Sequence, residues 1–394
     1  MKILYVSALA SRATVDEIHK AHPEFSGGFA AQKFNRLVVE GLAKNDVSVI
    51  SLSTFFLPHA GFFWHHKKTE ENGVKYKYIA SPNWGPLRYL WILLSCFFEV
   101  VRFWGMSAKG KVVMCDVLNV SACAGILAAS KIVRIKNVGI VTDIPGLRPG
   151  SDLKDLKNAA FNERINMHVL SGFSHYVFLT EQMNEVINRK NKPYMVMEGL
   201  VDFRMKEYPA VRKSDKKVVL YGGALREGYG LKLLVEGFLK ANVPDSELWL
   251  FGQGAFVEQI KQYVKKDNRI LFFGSVPNEE IVKAETEATL LVNPRPTHED
   301  YTRYSFPSKN MEYMVSGTPL LTTMLPGMPK EYHPYVYLFE HGEDIDGFAC
   351  SLKQVLELTK EELDNKGKKA KVWVLQNKNN IMQAGRLVDF VTKV

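Results

Sequence analysis

Cysteine is scarce in this sequence, and its placement excludes several kinds of site. The 394 residues include 4 cysteines, and no two of them form a Cys-x-x-Cys pair or another metal-ligand spacing. The neighbouring histidines His59, His65 and His66 also lack partners at ligand spacing. The sequence therefore predicts free thiols in a reducing cytoplasm, and neither a metal nor another cofactor.

A transmembrane segment is also missing. One long apolar segment, Leu87–Trp104, contains four polar residues that share one stripe of a helix: Arg88, Ser95, Glu99 and Arg102. A spanning helix needs about 20 residues without such charges, so we reject a span. Two interpretations remain open for this segment, a helix buried in its domain and a helix that lies in the membrane interface.

The sequence lacks a nucleotide fingerprint of the nicotinamide type, because no Gly-x-Gly-x-x-Gly motif follows the first strand. Apolar residues make up 46% and charged residues 24%, which is a normal globular balance and argues against disorder. The formal net charge of +9 favours anionic partners such as nucleotides or an anionic membrane face. Nucleic-acid binding would explain only this charge, since no recognised binding module is present.

The length exceeds that of a comfortable single core, so we expect two domains. Strands and helices alternate nearly throughout, beginning with a buried strand at Lys2–Ser7 that is a poor match to a signal peptide. This alternation predicts an α/β protein with parallel sheets. The Pro- and Lys-rich stretch Tyr208–Lys217 predicts a linker. The predicted domains cover residues 1–207 and 218–375, and a last helix covers 376–394.

A glycine-rich loop follows the first predicted strand of the second half. Residues Gly222 to Gly230 lie between the strand Val218–Tyr221 and the helix Leu231–Ala241. Glycines here let backbone amides approach a phosphate, and the start of the next helix favours negative charge. The alternative is a tight strand-to-helix turn that uses glycine for its geometry alone.

The most informative segment covers residues 304–319. Pro307 suits the first turn of a helix, whose free amides would form an anion site with Ser308 and Lys309. Glu312 shares a helix face with Ser308, because the two are four residues apart. A carboxylate one turn beyond the phosphates can accept both hydroxyls of a ribose. An ordinary amphipathic helix start is the alternative.

Taken in order, these motifs resemble those of the GT-B glycosyltransferases of group 1, the family-four retaining enzymes. The resemblance covers essentially the whole chain. It implies two Rossmann-like αβα domains facing a central cleft, with the C-terminal helix crossing back to the N-terminal domain. The segments that carry it are Gly27-Gly28, Gly222-Gly223, Phe251 to Gly254, Phe273 to Glu280, Asn293-Pro294 and Glu312 to Pro319.

The sequence departs from the family at the residues that hold the donor. The first of two family glutamates, which touches the donor sugar, falls on Tyr304. The basic pair of the family's glycine loop falls on Ala224 and Tyr229, and neither is basic. We therefore predict that Arg226 and Lys309 neutralise the diphosphate instead.

The resemblance also assigns roles in both halves. Asp143 ends a strand where family members carry a polar residue of the reaction cleft, although a cap or turn carboxylate is the alternative. The long loop Ser11–Ser26 is predicted to act as an acceptor lid. The backbone at Val276 is predicted to contact the base. Predicted catalytic residues are Asp143, Arg226, Lys309 and Glu312, and predicted donor-binding residues are Gly27, Gly28, Gly222, Gly223, Val276, Tyr304, Ser305, Ser308, Lys309 and Glu312.

These roles imply a retaining, metal-independent enzyme that transfers a sugar from a nucleotide sugar, UDP-linked, to a glycan or lipid-linked glycan. The implied pathway is the synthesis of a capsule, exopolysaccharide or lipopolysaccharide, in the cytoplasm, with peripheral membrane contact through Leu87–Trp104. Two alternatives stay open: a nucleotide-sugar epimerase of the same fold, and a catalytically inactive glycan-assembly subunit. The second is motivated by Tyr304, Ala224 and Tyr229.

Overall fold

The chain forms two compact units. A computed structural model describes residues 1–22, 29–57, 63–145, 147, 161–205 and 213–393. Within these ranges the N-terminal unit takes the residues up to 147, then 161–202 and 379–393, and the C-terminal unit takes 203–205 and 213–378. Strands alternate with helices in both units, which confirms the predicted α/β class.

An eight-stranded sheet forms the core of the N-terminal unit, in the order β10-β9-β8-β7-β1-β2-β5-β4. All neighbouring pairs are parallel except β4 with β5, and β3 pairs with β6 in a separate antiparallel ribbon. Strands β2 and β5 lie on one side of β1, and β7 to β10 lie on its other side. The strand order therefore reverses between β1 and β7. The strands are β1 (Lys2–Ser7), β2 (Ser48–Ser53), β3 (Phe63–Trp64), β4 (Thr69–Glu71), β5 (Val74–Tyr78), β6 (Ser81–Pro82), β7 (Lys111–Asp116), β8 (Lys136–Val141), β9 (His175–Phe178) and β10 (Tyr194–Val196).

Helices cover this sheet, and the last helix of the chain is one of them. The helices of the N-terminal unit are α1 (Arg12–Ala21), α2 (Phe29–Lys44), α3 (Gly85–Trp104), α4 (Val120–Val133), α5 (Phe161–Leu170), α6 (Gln182–Ile187) and α13 (Asn380–Lys393). Helix α13 packs on α2, where the Asn380 side chain donates to the Leu37 carbonyl at 3.3 Å. The predicted return of the last helix to the N-terminal unit is therefore confirmed.

The C-terminal unit is built on a parallel six-stranded sheet with the order β13-β12-β11-β14-β15-β16. Its central strands are buried apolar runs, as expected for a parallel sheet covered on both faces. The strands are β11 (Lys217–Gly222), β12 (Ser246–Phe251), β13 (Ile270–Gly274), β14 (Leu290–Asn293), β15 (Leu320–Thr322) and β16 (Tyr337–Leu338). The helices are α7 (Leu231–Ala241), α8 (Val257–Lys266), α9 (Asn278–Glu287), α10 (Ser308–Ser316), α11 (Ile345–Leu356) and α12 (Lys360–Asn377).

The prediction of a loop at Ser11–Ser26 is wrong over Arg12–Ala21, which forms helix α1. The role of this segment as an acceptor lid stays a prediction. The Ser11 side chain caps this helix by accepting from the backbone N–H of Thr14 at 3.3 Å. The predicted last helix, residues 376–394, starts later than expected, since α12 continues to Asn377 and α13 begins at Asn380.

The described part of the predicted linker, Lys213–Lys217, is attached to the C-terminal unit. The Lys213 ammonium donates to the Ala288 carbonyl at 2.6 Å and to the Thr318 hydroxyl at 2.7 Å. Burial lowers the pKa of Lys213 to about 8. The rest of that linker, residues 208–212, lies outside the described residues.

The contact between α2 and α13 can be tested at Gly41. A Cβ atom there would lie 2.1 Å from the backbone oxygen of Asn380. We expect Gly41→Ala to lower the free energy of unfolding by about 1–3 kcal/mol, since the two backbones must move apart. Thermal and urea unfolding measure the loss. The control is Gly85→Ala, where a Cβ meets no atom within 4 Å; equal stability of both variants would contradict this packing.

Candidate functional site

The candidate site lies at the carboxyl edge of the C-terminal sheet. Strands β12 and β13 lie on one side of β11, and β14 to β16 lie on the other, so the strand order reverses between β11 and β14. Open α/β sheets bind ligands at such a point. Two loops end there: Gly222 to Gly230 after β11, and the residues from Asn293 to Tyr304 after β14. The first is the glycine-rich loop of the sequence analysis, and the second precedes helix α10.

The loops at this edge press against one another so closely that glycine is required. Gly230 has a φ of +80°, and a Cβ there would lie 1.8 Å from the backbone oxygen of Pro294. Gly252, after β12, has a φ of +126°, and its Cβ would lie 1.8 Å from the backbone oxygen of Gly223. Both conformations favour glycine, so the edge is a preformed surface of backbone groups.

Tyr313 connects the glycine loop to helix α10. Its hydroxyl accepts from the backbone N–H of Gly222 at 2.8 Å and donates to the Gly222 carbonyl at 3.1 Å. The side chain is completely buried, and burial raises the pKa of Tyr313 well above its usual value. The hydroxyl therefore stays protonated, makes both bonds, and fixes α10 against the loop.

The start of α10 has the features of an anion site. Pro307 precedes the helix and makes no side-chain cap, so the first amides are not satisfied by that residue. Ser308 is exposed, and Lys309 is partly exposed. The amides, the hydroxyl and the ammonium can together receive a negatively charged ligand.

Glu312 is partly exposed and lies 3.5 Å from the Lys309 ammonium, measured between Oε2 and Nζ. Its carboxylate is therefore engaged in an i, i+3 ion pair, and this pair competes with a ribose role. An exposed pair of this kind contributes under about 1 kcal/mol, so it can be rearranged at little cost by a ligand.

The cationic groups at this edge include one that the sequence analysis missed. Arg295, two residues after β14, places its guanidinium 4.6 Å from the ring centre of Tyr229. Arg226 approaches the same ring at 6.0 Å. Neither arginine has an ion pair with the described residues. Tyr229, where the resemblance places a basic residue of the family, thus has two cations near its ring.

The environment of Arg295 is rich in tyrosine hydroxyls. Burial raises the pKa of Tyr221 to about 12, while the positive charge of Arg295 acts in the opposite direction. Arg295 has the same effect on the pKa of Tyr301, whose burial raises it. The Tyr301 hydroxyl lies 3.4 Å from the Gly228 carbonyl. The two loops therefore meet around this arginine.

Other predicted donor-binding residues have different surroundings. Tyr304 is 3% exposed, so its side chain belongs to the core of the unit rather than to an open surface. Ser305 and Val276 are partly exposed, and Gly223 is partly exposed on the glycine loop. Gly27 and Gly28 lie outside the described residues.

Asp143 belongs to the N-terminal unit, directly after β8. Its side chain is exposed to solvent, and two causes raise its pKa: desolvation by the surrounding protein and the negative charge of Asp116. Asp116 ends β7 and is buried, where its carboxylate accepts from the Asn35 amide at 2.8 Å and from the Leu118 N–H at 3.2 Å. Two carboxylates thus follow neighbouring strands, β7 and β8, at the carboxyl edge of this sheet.

Among the described residues, no group of three or more His, Cys, Asp and Glu side chains could hold a metal ion.

The sequence profile of the family "Glycosyl transferases group 1" matches residues 205–373. These residues contain the whole candidate site of the C-terminal unit. This segment of the chain is similar to group 1 glycosyltransferases. No curated protein matches the sequence significantly.

Solved structures resemble this chain over its full length. Sucrose-phosphate synthase from Thermosynechococcus elongatus has a TM-score of 0.66 at 15% identity, with 100% of this chain and 99% of that chain covered. The lipopolysaccharide outer core galactosyltransferase WaaB has a TM-score of 0.62 at 14% identity, covering 100% and 99%. The Anabaena protein HepE, in complex with UDP, has a TM-score of 0.62 at 14% identity, covering 100% of both chains. These likenesses show the GT-B fold.

Arg295 and Arg226 can be tested by nucleotide binding. A charge-assisted contact to a diphosphate contributes about 1.5–3 kcal/mol, so Arg295→Ala and Arg226→Ala should each weaken UDP binding by about 10- to 100-fold. Isothermal titration calorimetry measures the affinity. The control is Arg269→Ala, which removes the same charge at the amino end of β13. Unchanged UDP affinity in both variants would show that neither arginine contacts the diphosphate.

Proposed function

We propose that this glycosyltransferase moves a sugar from a UDP-linked donor to a hydroxyl group of a glycan or lipid-linked glycan. The observation that carries the proposal is the carboxyl edge between β11 and β14, where a glycine loop, a helix start and the cations Arg226, Arg295 and Lys309 lie in one family-matched segment. HepE, which has the same fold, is solved with UDP and with UDP-glucose. We therefore assign the donor to the C-terminal unit.

The chemistry follows from where charge develops. When the bond between the sugar and the diphosphate breaks, negative charge grows on the leaving diphosphate. Fixed cations and helix amides stabilise that charge without reorganising, which is the largest usual source of catalysis. Arg226, Arg295, Lys309 and the amides at Ser308 can supply this stabilisation without a metal. A retaining course is part of the proposal.

The ribose and the acceptor are assigned to other residues. Glu312 follows the helix start by one turn, and the ribose adjoins the diphosphate in every nucleotide sugar, so this carboxylate would accept the ribose hydroxyls. Asp143 and Gly28 are proposed to line the reaction cleft. A cell-surface polysaccharide, such as a capsule, exopolysaccharide or lipopolysaccharide, is the proposed product, assembled in the cytoplasm.

Helix α3 supports contact with a membrane surface. Its buried face consists of Ile92, Cys96, Val100 and Phe103. The opposite face exposes large apolar side chains, with Tyr89 and Phe98 each 64% exposed; the others are Leu87, Leu90, Trp91, Leu94 and Trp104. No helix among the described residues is both long enough and apolar enough to cross a membrane. We propose that α3 lies in the interface of an anionic bilayer.

Glu312→Gln is the sharpest test of donor binding. Loss of a charge-assisted pair of bonds to the ribose costs about 2–4 kcal/mol, so kcat/KM should fall roughly 30- to 1000-fold with the fold intact. Nucleotide release from UDP-sugars measures it, with UDP affinity as a second reading. Glu312→Asp should also lose activity. Near wild-type turnover and affinity in the Gln variant would mean that Glu312 only pairs with Lys309.

The membrane proposal is tested by flotation with anionic liposomes. Replacing Tyr89, Leu90 and Phe98 with Ser removes three exposed apolar side chains, each worth about 1.5–3 kcal/mol when buried, and should abolish flotation while the protein stays folded. The control carries Val372→Ser and Met382→Ser, which remove apolar side chains of similar exposure elsewhere. A wild-type protein that remains in the soluble fraction would end the proposal.

A further inference from the structure

A cavity of about 510 Å³ lies in the N-terminal unit at the carboxyl end of β1. Helix α1, helix α2 and the residues directly after β1 form its walls. Because the strand order reverses between β1 and β7, this is the edge where an open α/β sheet binds its ligand. The residues that line the cavity all belong to the N-terminal unit, whereas Arg226, Arg295, Lys309 and Glu312 belong to the C-terminal unit.

Hydrogen bonds hold the walls in place. The Gln32 side chain, on α2, accepts from the Ala10 N–H at 2.9 Å and donates to the Ala8 carbonyl at 2.6 Å. The Ser11 cap then starts α1 directly after this segment. The two helices are thereby pinned to the end of β1, so the cavity is formed before a ligand arrives.

The lining combines apolar surface with positive charge. Leu9, Ile18 and Phe55 provide buried apolar walls, which strengthen electrostatic interactions by excluding water. The charged lining residues are Arg12, Lys33 and Arg36 against Asp16, so three cations less one carboxylate leave a formal +2 with His19 neutral.

Not every cation is available to a ligand. Arg12 lies 3.8 Å from a Glu71 carboxylate oxygen and 3.9 Å from one of Asp202, so two carboxylates already balance it. Glu40, near Arg36, accepts from the Asn72 amide at 2.9 Å. Lys33 also interacts with another group of the protein. Arg36 is therefore the lining cation without an assigned acceptor.

The guanidinium of Arg36 makes no hydrogen bond or ion pair with the described residues, and its Nε is buried without a partner. Burial and the positive charge of Arg12 lower the pKa of Arg36, against smaller opposite effects from Glu40 and Asp202. A partly buried guanidinium with unused donors is costly in the free protein, and an oxyanion that accepts from it recovers that cost.

We propose that this cavity binds an anionic group of the acceptor, a carboxylate or a phosphate, with Arg36 as the principal donor. The proposal rests on the proposed transferase function and narrows its acceptor class to acidic glycans or phosphate-linked glycans. A neutral sugar would leave the guanidinium unpaired, so Arg36 also serves specificity by rejecting neutral acceptors.

The test is direct binding, measured by calorimetry on the full chain. Glucuronate and inorganic phosphate are the anionic probes, and glucose is the neutral one. At least one anion should bind saturably, glucose should not, and Arg36→Met should weaken the anion at least 10-fold. Lys44→Met, which removes an exposed charge from the same helix, is the matched control and should bind as the wild type does. Arg36→Lys should retain part of the affinity.

The outcomes separate cleanly. Binding of glucuronate alone assigns a carboxylate-bearing sugar, and binding of phosphate alone assigns a phosphate-linked acceptor. No saturable binding of either anion, or binding that Arg36→Met leaves unchanged, overturns the proposal. Phosphate binding that Arg295→Ala abolishes and Arg36→Met does not would place the anion in the donor site and would also overturn the proposal.

A UDP titration of the same sample tests the proposed function independently. If circular dichroism shows that Arg36→Met is unfolded, the Arg36→Lys variant replaces it in the test. The proposal then requires that Arg36→Lys weakens anion binding at least threefold.

Discussion

One buried hydroxyl holds the candidate donor site together. Tyr313 exchanges hydrogen bonds with both backbone groups of Gly222, and so joins the end of β11 to helix α10 across 91 residues of sequence. A helix start can favour an anion only when it is fixed relative to the other groups that receive that anion. The bonds of Tyr313 provide this fixation. Gly230 and Gly252 let the neighbouring loops pack closely, against the backbone of Pro294 and of Gly223 respectively.

The N-terminal unit repeats this design with different chemistry. Tyr5, buried in β1, donates to the Asn35 side chain, and Asn35 in turn donates to Asp116 at the end of β7. The link again crosses the point where the strand order reverses. Both units thus use a parallel sheet whose strand order reverses, but their carboxyl edges differ. The C-terminal edge presents arginine, lysine and helix amides. The N-terminal edge has Asp116 and Asp143 at the ends of β7 and β8, and a cavity lined by Arg36. This difference agrees with the proposal that the C-terminal unit binds the donor and the N-terminal unit binds the acceptor.

Local pattern was sufficient for most of the fold. The strand Lys2–Ser7 and the helix Leu231–Ala241 have the bounds that the sequence predicts. Helix α1 was missed because it is polar and short, although the Ser11 cap and the spacing of Thr14 and Ile18 on its buried side were available signals. The hairpin of β4 and β5, closed by Asn72 and Gly73 with positive φ, was missed as well, and Asn-Gly is a strong turn signal.

The site was less accessible to sequence reasoning than the fold. The glycine loop and the helix after Pro307 were identified from their motifs, but Arg295 has no periodic pattern and gains its meaning only from its contact with Tyr229, 66 residues earlier in the chain. The role of Tyr313 likewise depends on a partner that no local window contains. Tyr304 was assigned by position, and its burial could not be inferred from a loop sequence.

The central claim is that the nucleotide of the donor binds at the carboxyl edge of the C-terminal sheet. Amide hydrogen exchange with and without saturating UDP tests it most directly, because backbone amides are themselves among the proposed ligands. The account predicts slower exchange in residues 222–230, 274–280 and 305–313. Slower exchange confined to the N-terminal unit, or no change in any of the three segments, would contradict it.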